Sequence, residues 1–274
     1  MTRSETPDLL AALGSVPVTW SAMVRDAGTG VVLADHDGAR VLRTASVGKV
    51  FLLLEVARRL AAGQLDPYEQ LAWTPEEWVA DSGLWYRMDA PLLGVGDLAL
   101  LVGAVSDNLA TNVLVRRLGI DAVQALARNV GCRDSSLLDR VRDHRGPEHP
   151  PTLSVGSGAE LSAVLAGLHR RDLVSAEVSE RVLGWLSANT DLSMVAAGLD
   201  LDPLAHEESD RELRLVNKTG TISVVRVDVG VIEGPRRALA YAVLAEWEPD
   251  RDPRDDVLSA MRSVGRRLRG AVGG

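Results

Sequence analysis

Apolar and polar positions follow two different periods along this chain. Near the start, 17–26 (PVTWSAMVRD) and 30–36 (GVVLADH) read as strands, with Ala27-Gly28-Thr29 as a hairpin turn between them. Three more strand-like runs lie near the end, at 212–220, 224–233 and 238–247. The middle follows a helical period instead. The spacing predicts a strong helix over 46–63, stopped by Gly63, and further helices over 95–105, 108–119, 121–131, 156–172 and 176–188. Val257, Met261, Val264 and Leu268 mark a last helix, with Arg262, Arg266, Arg267 and Arg269 mostly on its other side. Residues 7–13 are expected to form a short first helix. Residues 132–155 hold few apolar residues and three prolines, Pro147, Pro150 and Pro151, and read as a long loop.

Strands at both ends therefore bracket a helical middle. The fold class that follows is α/β (α+β), with a five-stranded antiparallel sheet built from both chain ends and flanked by the terminal helices. An all-helical domain is inserted between the early and late strands. The expected division is 1–45 with 205–274 as the sheet domain, and 46–204 as the helical domain. The junction between them is the natural place for a ligand site.

Composition narrows the function. The chain has 274 residues, 46% of them hydrophobic and 25% charged, which suits a globular protein with a large core. Its net charge is −8 without a long basic run, which argues against nucleic acid as a partner. The single Cys132 excludes an internal disulfide, and the five scattered histidines lack metal-ligand spacing, so no metal or cofactor is expected. No apolar run approaches the roughly 18 residues of a membrane span. The stretch from Leu9 to Leu13 is too short for a secretory h-region, which predicts a cytoplasmic location. A chain from which an export signal had been removed would look the same. A small molecule is the expected partner, and the chain is expected to act as a monomer or a dimer.

Of thirty basic residues only two are lysine, Lys49 and Lys218. Arg keeps its charge under ordinary conditions, whereas a buried Lys can become neutral. Lys49 lies three residues after Ser46, a spacing that puts both on one face of a helix. A neutral lysine there could take the proton of the serine hydroxyl. The plainer reading is an N-cap serine beside a solvated lysine. Lys218 lies in Asn217-Lys218-Thr219-Gly220-Thr221, at the end of a predicted strand. That group could grip a carboxylate, with Gly220 letting a substrate approach the backbone, or it could be an ordinary turn. Ser106-Asp107-Asn108 sits between two helices, where capping alone would favour these residues.

Ser-x-x-Lys, Ser-Asp-Asn and Lys-Thr-Gly occur here in the order found in class A β-lactamases and penicillin-binding proteins. From about residue 15 to its end the sequence resembles the class A β-lactamase-like serine hydrolases. The resemblance implies that Ser46 is the acylated nucleophile and Lys49 its base or proton relay. It implies that Ser106 passes a proton to the leaving nitrogen and that Asn108 contacts the substrate amide. Lys218, Thr219 and Thr221 would hold a substrate carboxylate. The N–H groups of Ser46 and Thr221 would form an oxyanion hole, whose donors are worth about 3–4 kcal/mol each. Arg226 matches an arginine near the carboxylate pocket of many relatives, or is a surface strand residue. Ser82-Gly83-Leu84-Trp85 resembles a segment bordering the cleft, so Trp85 would wall the pocket or pack in the core.

One element of the family pattern is absent. The 132–154 loop contains no Glu-x-x-Leu-Asn stretch, whose Glu activates the deacylating water in efficient class A enzymes. Asp139, Asp143 and Glu148 are the carboxylates that could substitute. The leading expectation is a serine hydrolase that opens a β-lactam or related amide or ester through a Ser46 acyl-enzyme. The alternatives are a penicillin-binding or esterase-like protein with slow deacylation, and a non-catalytic ligand-binding relative.

Overall fold

The computed structural model describes residues 8–206 and 212–273. In chain order its strands and helices are β1 (Thr19–Asp26), β2 (Val32–His36), β3 (Val41–Arg43), α1 (Lys49–Ala61), β4 (Gln70–Ala72), β5 (Leu92–Gly94), α2 (Val95–Val105), α3 (Asn108–Leu118) and α4 (Ile120–Asn129). They continue with β6 (Ser136–Leu137), β7 (Ser154–Ser157), α5 (Gly158–Arg170), α6 (Ala176–Ser187), β8 (Arg214–Ile222), β9 (Val225–Glu233), β10 (Ala238–Glu246) and α7 (Arg254–Val272).

The main sheet has five antiparallel strands in the order β2-β1-β10-β9-β8. The first strand pairs with the last, from Thr19 opposite Glu246 to Asp26 opposite Leu239. β9 and β10 are buried almost throughout, so the sheet is covered on both faces. That is why ALAYAVLAE reads as a continuous small-apolar run rather than an alternating one. On one face lies α5, held where Arg25 Nε donates to Ser162 Oγ at 3.0 Å and His169 Nδ1 sits 3.2 Å from Glu233. On the other face lies α7, with a 3-10 turn, Ala196–Leu199, packed against it.

The middle helices gather around α1, whose residues Lys49 to Ala57 are all buried. A helix apolar on every side belongs in an interior. Glu55 is the one acid on that stretch, and Arg58 and Arg59 both pair with it at 2.7 Å. No helix among the described residues is long and apolar enough to cross a membrane.

Several expectations need correction. Residue 7 lies outside the described residues; residues 9–12 form turns, followed by a 3-10 turn at Leu13–Ser15 in place of the short helix. A segment of that length nucleates a helix poorly, and here Leu9, Leu10 and Leu13 are buried without one. The late strand runs on to Ile222, so Lys218-Thr219-Gly220 lies inside β8, paired with β9 from Arg214–Glu233 to Ile222–Val225. The 132–155 segment is not free loop throughout. Its ends supply β6 and β7, which form a small sheet with β3. α5, assigned by its position in the chain to the helical middle, lies on the main sheet.

A buried polar network steadies β8. Asp228, opposite Thr219 in the register, accepts from Asn217 Nδ2 at 3.1 Å, Tyr241 Oη at 2.9 Å and Ala196 N at 3.2 Å. Asn189 Nδ2 donates to Asn217 Oδ1 at 2.8 Å. Burial pushes the Asp228 carboxyl up to about 7, against the pull of these hydrogen bonds. Replacing Tyr241 with Phe removes one donor from a buried acceptor. Tyr241→Phe is expected to lower unfolding free energy by about 1–3 kcal/mol in a denaturant titration. An unchanged midpoint and slope would show that the network does not bear on stability.

Candidate active site

Ser46 lies in a 3-10 turn, Ala45–Gly48, that runs into α1. Ala45 has φ 46°, a left-handed conformation disfavoured for a residue with a Cβ. The chain holds it there with β7. Thr44 N donates to Ser154 O at 3.1 Å, the Thr44 and Ser154 hydroxyls are 2.7 Å apart, and Ser154 Oγ donates to Ala45 O at 2.5 Å. β8 closes in from another side. A Cβ on Gly220 would lie 2.2 Å from the Thr44 carbonyl oxygen and 3.2 Å from Ser46 N. The missing side chain therefore makes room for the protein's own Ser46 turn. This corrects the expectation that Gly220 opens the backbone to substrate.

The second wall is the α2–α3 junction. Ser106 ends α2 in a left-handed conformation, φ 55° and ψ 36°. Asp107 is buried and caps α3 by accepting from Ala110 N at 2.8 Å. Its other oxygen accepts from Leu84 N at 2.7 Å and Trp85 N at 2.8 Å, tying the preceding loop to the junction. Asn108 donates from Nδ2 to Asp81 O at 2.6 Å.

Both lysines converge on this junction, and both are fully buried. Lys49 Nζ donates to Ser106 O at 2.7 Å and Asn108 Oδ1 at 2.7 Å, and lies 3.3 Å from Ser106 Oγ. Lys218 Nζ donates to the same Ser106 Oγ at 3.0 Å and to Thr219 O at 3.0 Å. Burial, reinforced by the charge of Lys218, holds the Lys49 amine well below its ordinary pKa. Burial also lowers Lys218, to about 8, against the opposing charges of Asp191 and Asp228. Among the described residues the Ser46 hydroxyl makes no hydrogen bond. No hydrogen bond joins Ser46 to Lys49 among the described residues, and the amine turns toward Ser106 and Asn108.

A cleft of about 880 Å³ opens above these groups. Ser46, Ser106, Asn108, Thr219, Thr221 and Arg226 line it, with Lys49 and Lys218 beneath, reached through Ser106 Oγ. Trp85 does not wall it. That side chain is 1% exposed, packs in the core and donates from Nε1 to Ala90 O at 2.9 Å. Arg226 donates from Nη1 to Ile222 O at 2.7 Å and Val225 O at 2.8 Å. Among the described residues no cluster of His, Cys, Asp or Glu could hold a metal ion.

The three loop carboxylates fare differently. Asn112 clamps the loop, donating to Val141 O at 3.0 Å and accepting from Val141 N at 2.8 Å. Asp139 is held by Arg142 and Arg145, each at 2.7 Å, and does not line the cleft. Burial acts to raise its pKa, but the bonds from Arg142 and Arg145 hold the carboxyl below its usual range. Glu148 is 68% exposed, beside His149, and away from the cleft lining. Only Asp143 of the three lines the cleft, next to Arg142 and Arg145.

One cleft residue has no sequence signature. Asp191 follows α6 and reads as part of a helix-ending turn. In the fold its Oδ2 accepts from Thr219 Oγ1 at 2.6 Å, and it lines the cleft. Ser154 is equally silent in sequence, although it supports the Ser46 turn.

Comparison with known proteins adds to this geometry. A family model described as the beta-lactamase enzyme family matches residues 6–272. The beta-lactamase regulatory protein BlaB of Streptomyces cacaoi is 27% identical, over 96% of this chain and 95% of its own. A beta-lactamase structure from Sphaerobacter thermophilus superposes with a TM-score of 0.81 at 25% identity, covering 97% of this chain and 95% of its own. The structure of PBP-A superposes with a TM-score of 0.80 at 20% identity, covering 96% of this chain and 93% of its own.

A methyl group at position 220 would push β8 away from Ser46. Gly220→Ala is expected to cut labelling of Ser46 by a fluorophosphonate probe by roughly 100-fold, as an ångström of misplacement does. Far-UV circular dichroism should stay unchanged, and undiminished labelling would show that the close approach is dispensable.

Proposed function

The chain belongs to the beta-lactamase enzyme family, and on that premise we propose that it is a serine acyl-transfer enzyme. Ser46 takes the acyl group of a β-lactam or a related amide or ester, and water releases it slowly. The observation that carries this reading is the Ser106 hydroxyl set between two buried lysine amines, at 3.3 Å from Lys49 and 3.0 Å from Lys218.

A neutral Lys49 has two N–H bonds, enough for Ser106 O and Asn108 Oδ1, and one free lone pair. The Ser106 hydroxyl can donate to that lone pair while accepting from a protonated Lys218. In the proposed reaction Ser106 turns its proton from that lone pair toward the leaving atom, Ser46 Oγ attacks the acyl carbon, and the Ser46 proton passes to the freed lone pair of Lys49. The oxygen of the tetrahedral intermediate sits at the N–H groups of Ser46 and Thr221. As the intermediate collapses, the C–N or C–O bond breaks and the leaving atom takes the Ser106 proton. Ser106 regains a proton from Lys49. Asn108, Thr219, Thr221 and Arg226 bind the substrate along the cleft. The cleft then lies between the sheet unit, including α5, and the helices grouped around α1.

Slow release follows from the loop. An attacking water needs a base, and Asp139 is occupied by two arginines while Glu148 points to solvent. Asp143 is the remaining acid of the three, and it lines the cleft beside Arg142 and Arg145.

The regulatory name of the Streptomyces relative favours a second reading, a sensor that binds such molecules without turnover. Intact mass after exposure to a β-lactam and activated-ester panel separates the two. The enzyme reading expects an adduct that disappears in Ser46→Ala. Unchanged equilibrium binding in Ser46→Ala, with no adduct in either protein, would establish the sensor instead.

The two lysines should differ in tolerance. Lys49→Arg is expected to abolish acylation, since a guanidinium is never a base at ordinary pH. Lys218→Arg should leave measurable acylation. Lys218 is a cation below its pKa of about 8 and neutral above it. If the charged form supports the reaction, acylation by a neutral ester falls as pH rises through about 8. Lys218→Arg should remove that falling limb, and a limb that persists would assign it to another group.

A further inference from the structure

A carboxylate already occupies the end of the cleft where that of a substrate would bind. Asp191 Oδ2 accepts from the Thr219 hydroxyl at 2.6 Å. Its Oδ1 accepts from Ser193 Oγ at 2.6 Å and Ser193 N at 3.1 Å. With both oxygens engaged, this side chain is fixed in the wall rather than swinging in solvent. Its charge acts on Lys218 and on Arg226 alike. Asp228 stands opposite Thr219 in the sheet register and also acts on Lys218. Asp191 thus sets a negative charge against Lys218 and Arg226, the two cations at this end of a cleft that Arg43, Arg142, Arg145 and Arg254 also line.

We infer that Asp191 is a specificity-determining residue that converts this subsite from one for a carboxylate into one for an uncharged group. The acyl donor of this protein is then a neutral amide or ester. This rests on acyl transfer at Ser46. The Thr219 hydroxyl has one hydrogen, and Asp191 holds it. A second carboxylate would lose that donor and meet a like charge in a partly desolvated wall, a costly juxtaposition. An ester or amide carbonyl can accept from Thr221 without that penalty.

Asp191→Asn keeps the side-chain shape and an oxygen for Thr219 while removing the charge. Two measurements test the inference on the full chain. The first is the rate of Ser46 adduct formation with benzylpenicillin and with its methyl ester, read by intact mass. The natural protein should favour the ester, and Asp191→Asn should raise the ratio of the benzylpenicillin rate to the ester rate by about tenfold or more. The second needs no reaction: binding of benzoate against benzamide, followed by amide resonances of 219–221. Asp191→Asn should tighten benzoate by about tenfold or more and leave benzamide unchanged. Asp191→Ala should shift both ratios the same way, which guards against a folding defect in one variant. Equal benzoate affinity in natural and variant proteins, or a parallel rise for both members of either pair, would overturn the inference. Tightened benzoate binding without any Ser46 adduct would sink acyl transfer alone and support the charge selection.

Discussion

Two buried amines share one hydroxyl, and the site depends on that arrangement. Two ammonium groups cannot both be charged cheaply in a desolvated space. Lys49 is the one driven toward neutrality, by its burial and by the charge of Lys218, against the weaker pull of Asp107. Lys218 has Asp191 and Asp228 to offset its burial, so it keeps a proton more readily. The difference between two chemically identical side chains arises entirely from what surrounds them. One becomes able to accept a proton and the other remains a source of positive charge.

The scaffold holds this pair through backbone features. α1 brings Lys49 inward because it is apolar all round and must be buried. The α2–α3 junction offers Ser106 from a left-handed residue, fixed by the Asp107 cap and the loop tied to it. β8 brings Lys218 from a distant part of the chain and passes so close to Thr44 that only glycine fits at 220. The turn that carries Ser46 is in turn locked by Ser154 of β7. Four segments, far apart in sequence, therefore restrain one another around Ser46.

The groups around that centre point to a specialised member of the family. Ser46, Ser106 and the two lysines gather at one end of the cleft, whereas the loop presents Arg142 and Arg145 to it. Asp139 is an anchor for those arginines. Asp191 adds a negative charge at the opposite end. The same fold is shared with a beta-lactamase and with PBP-A, and the sequence is related to that of a regulatory protein.

Much of the fold was legible in the chain itself. Strand and helix periods marked the five sheet strands and all seven helices to within a few residues, because those signals depend on local burial of one face or all faces. The ordered motifs around Ser46, Ser106 and Lys218 were legible too, since each is a short stretch of distinctive residue types. Three-dimensional packing decided the rest. It showed Trp85 to be core, gave the space at Gly220 to Thr44 and turned Lys49 from Ser46 toward Ser106. It tied Asp139 to arginines and brought Asp191, an unremarked residue after a helix, onto Thr219. Hydrophobic period is a property of neighbours in sequence, so the chain alone determined the long elements, while the short strands β3 to β7 came from packing. Which hydrogen-bond partner or counter-charge a polar group meets is set by segments many residues away, and only the tertiary structure could decide it.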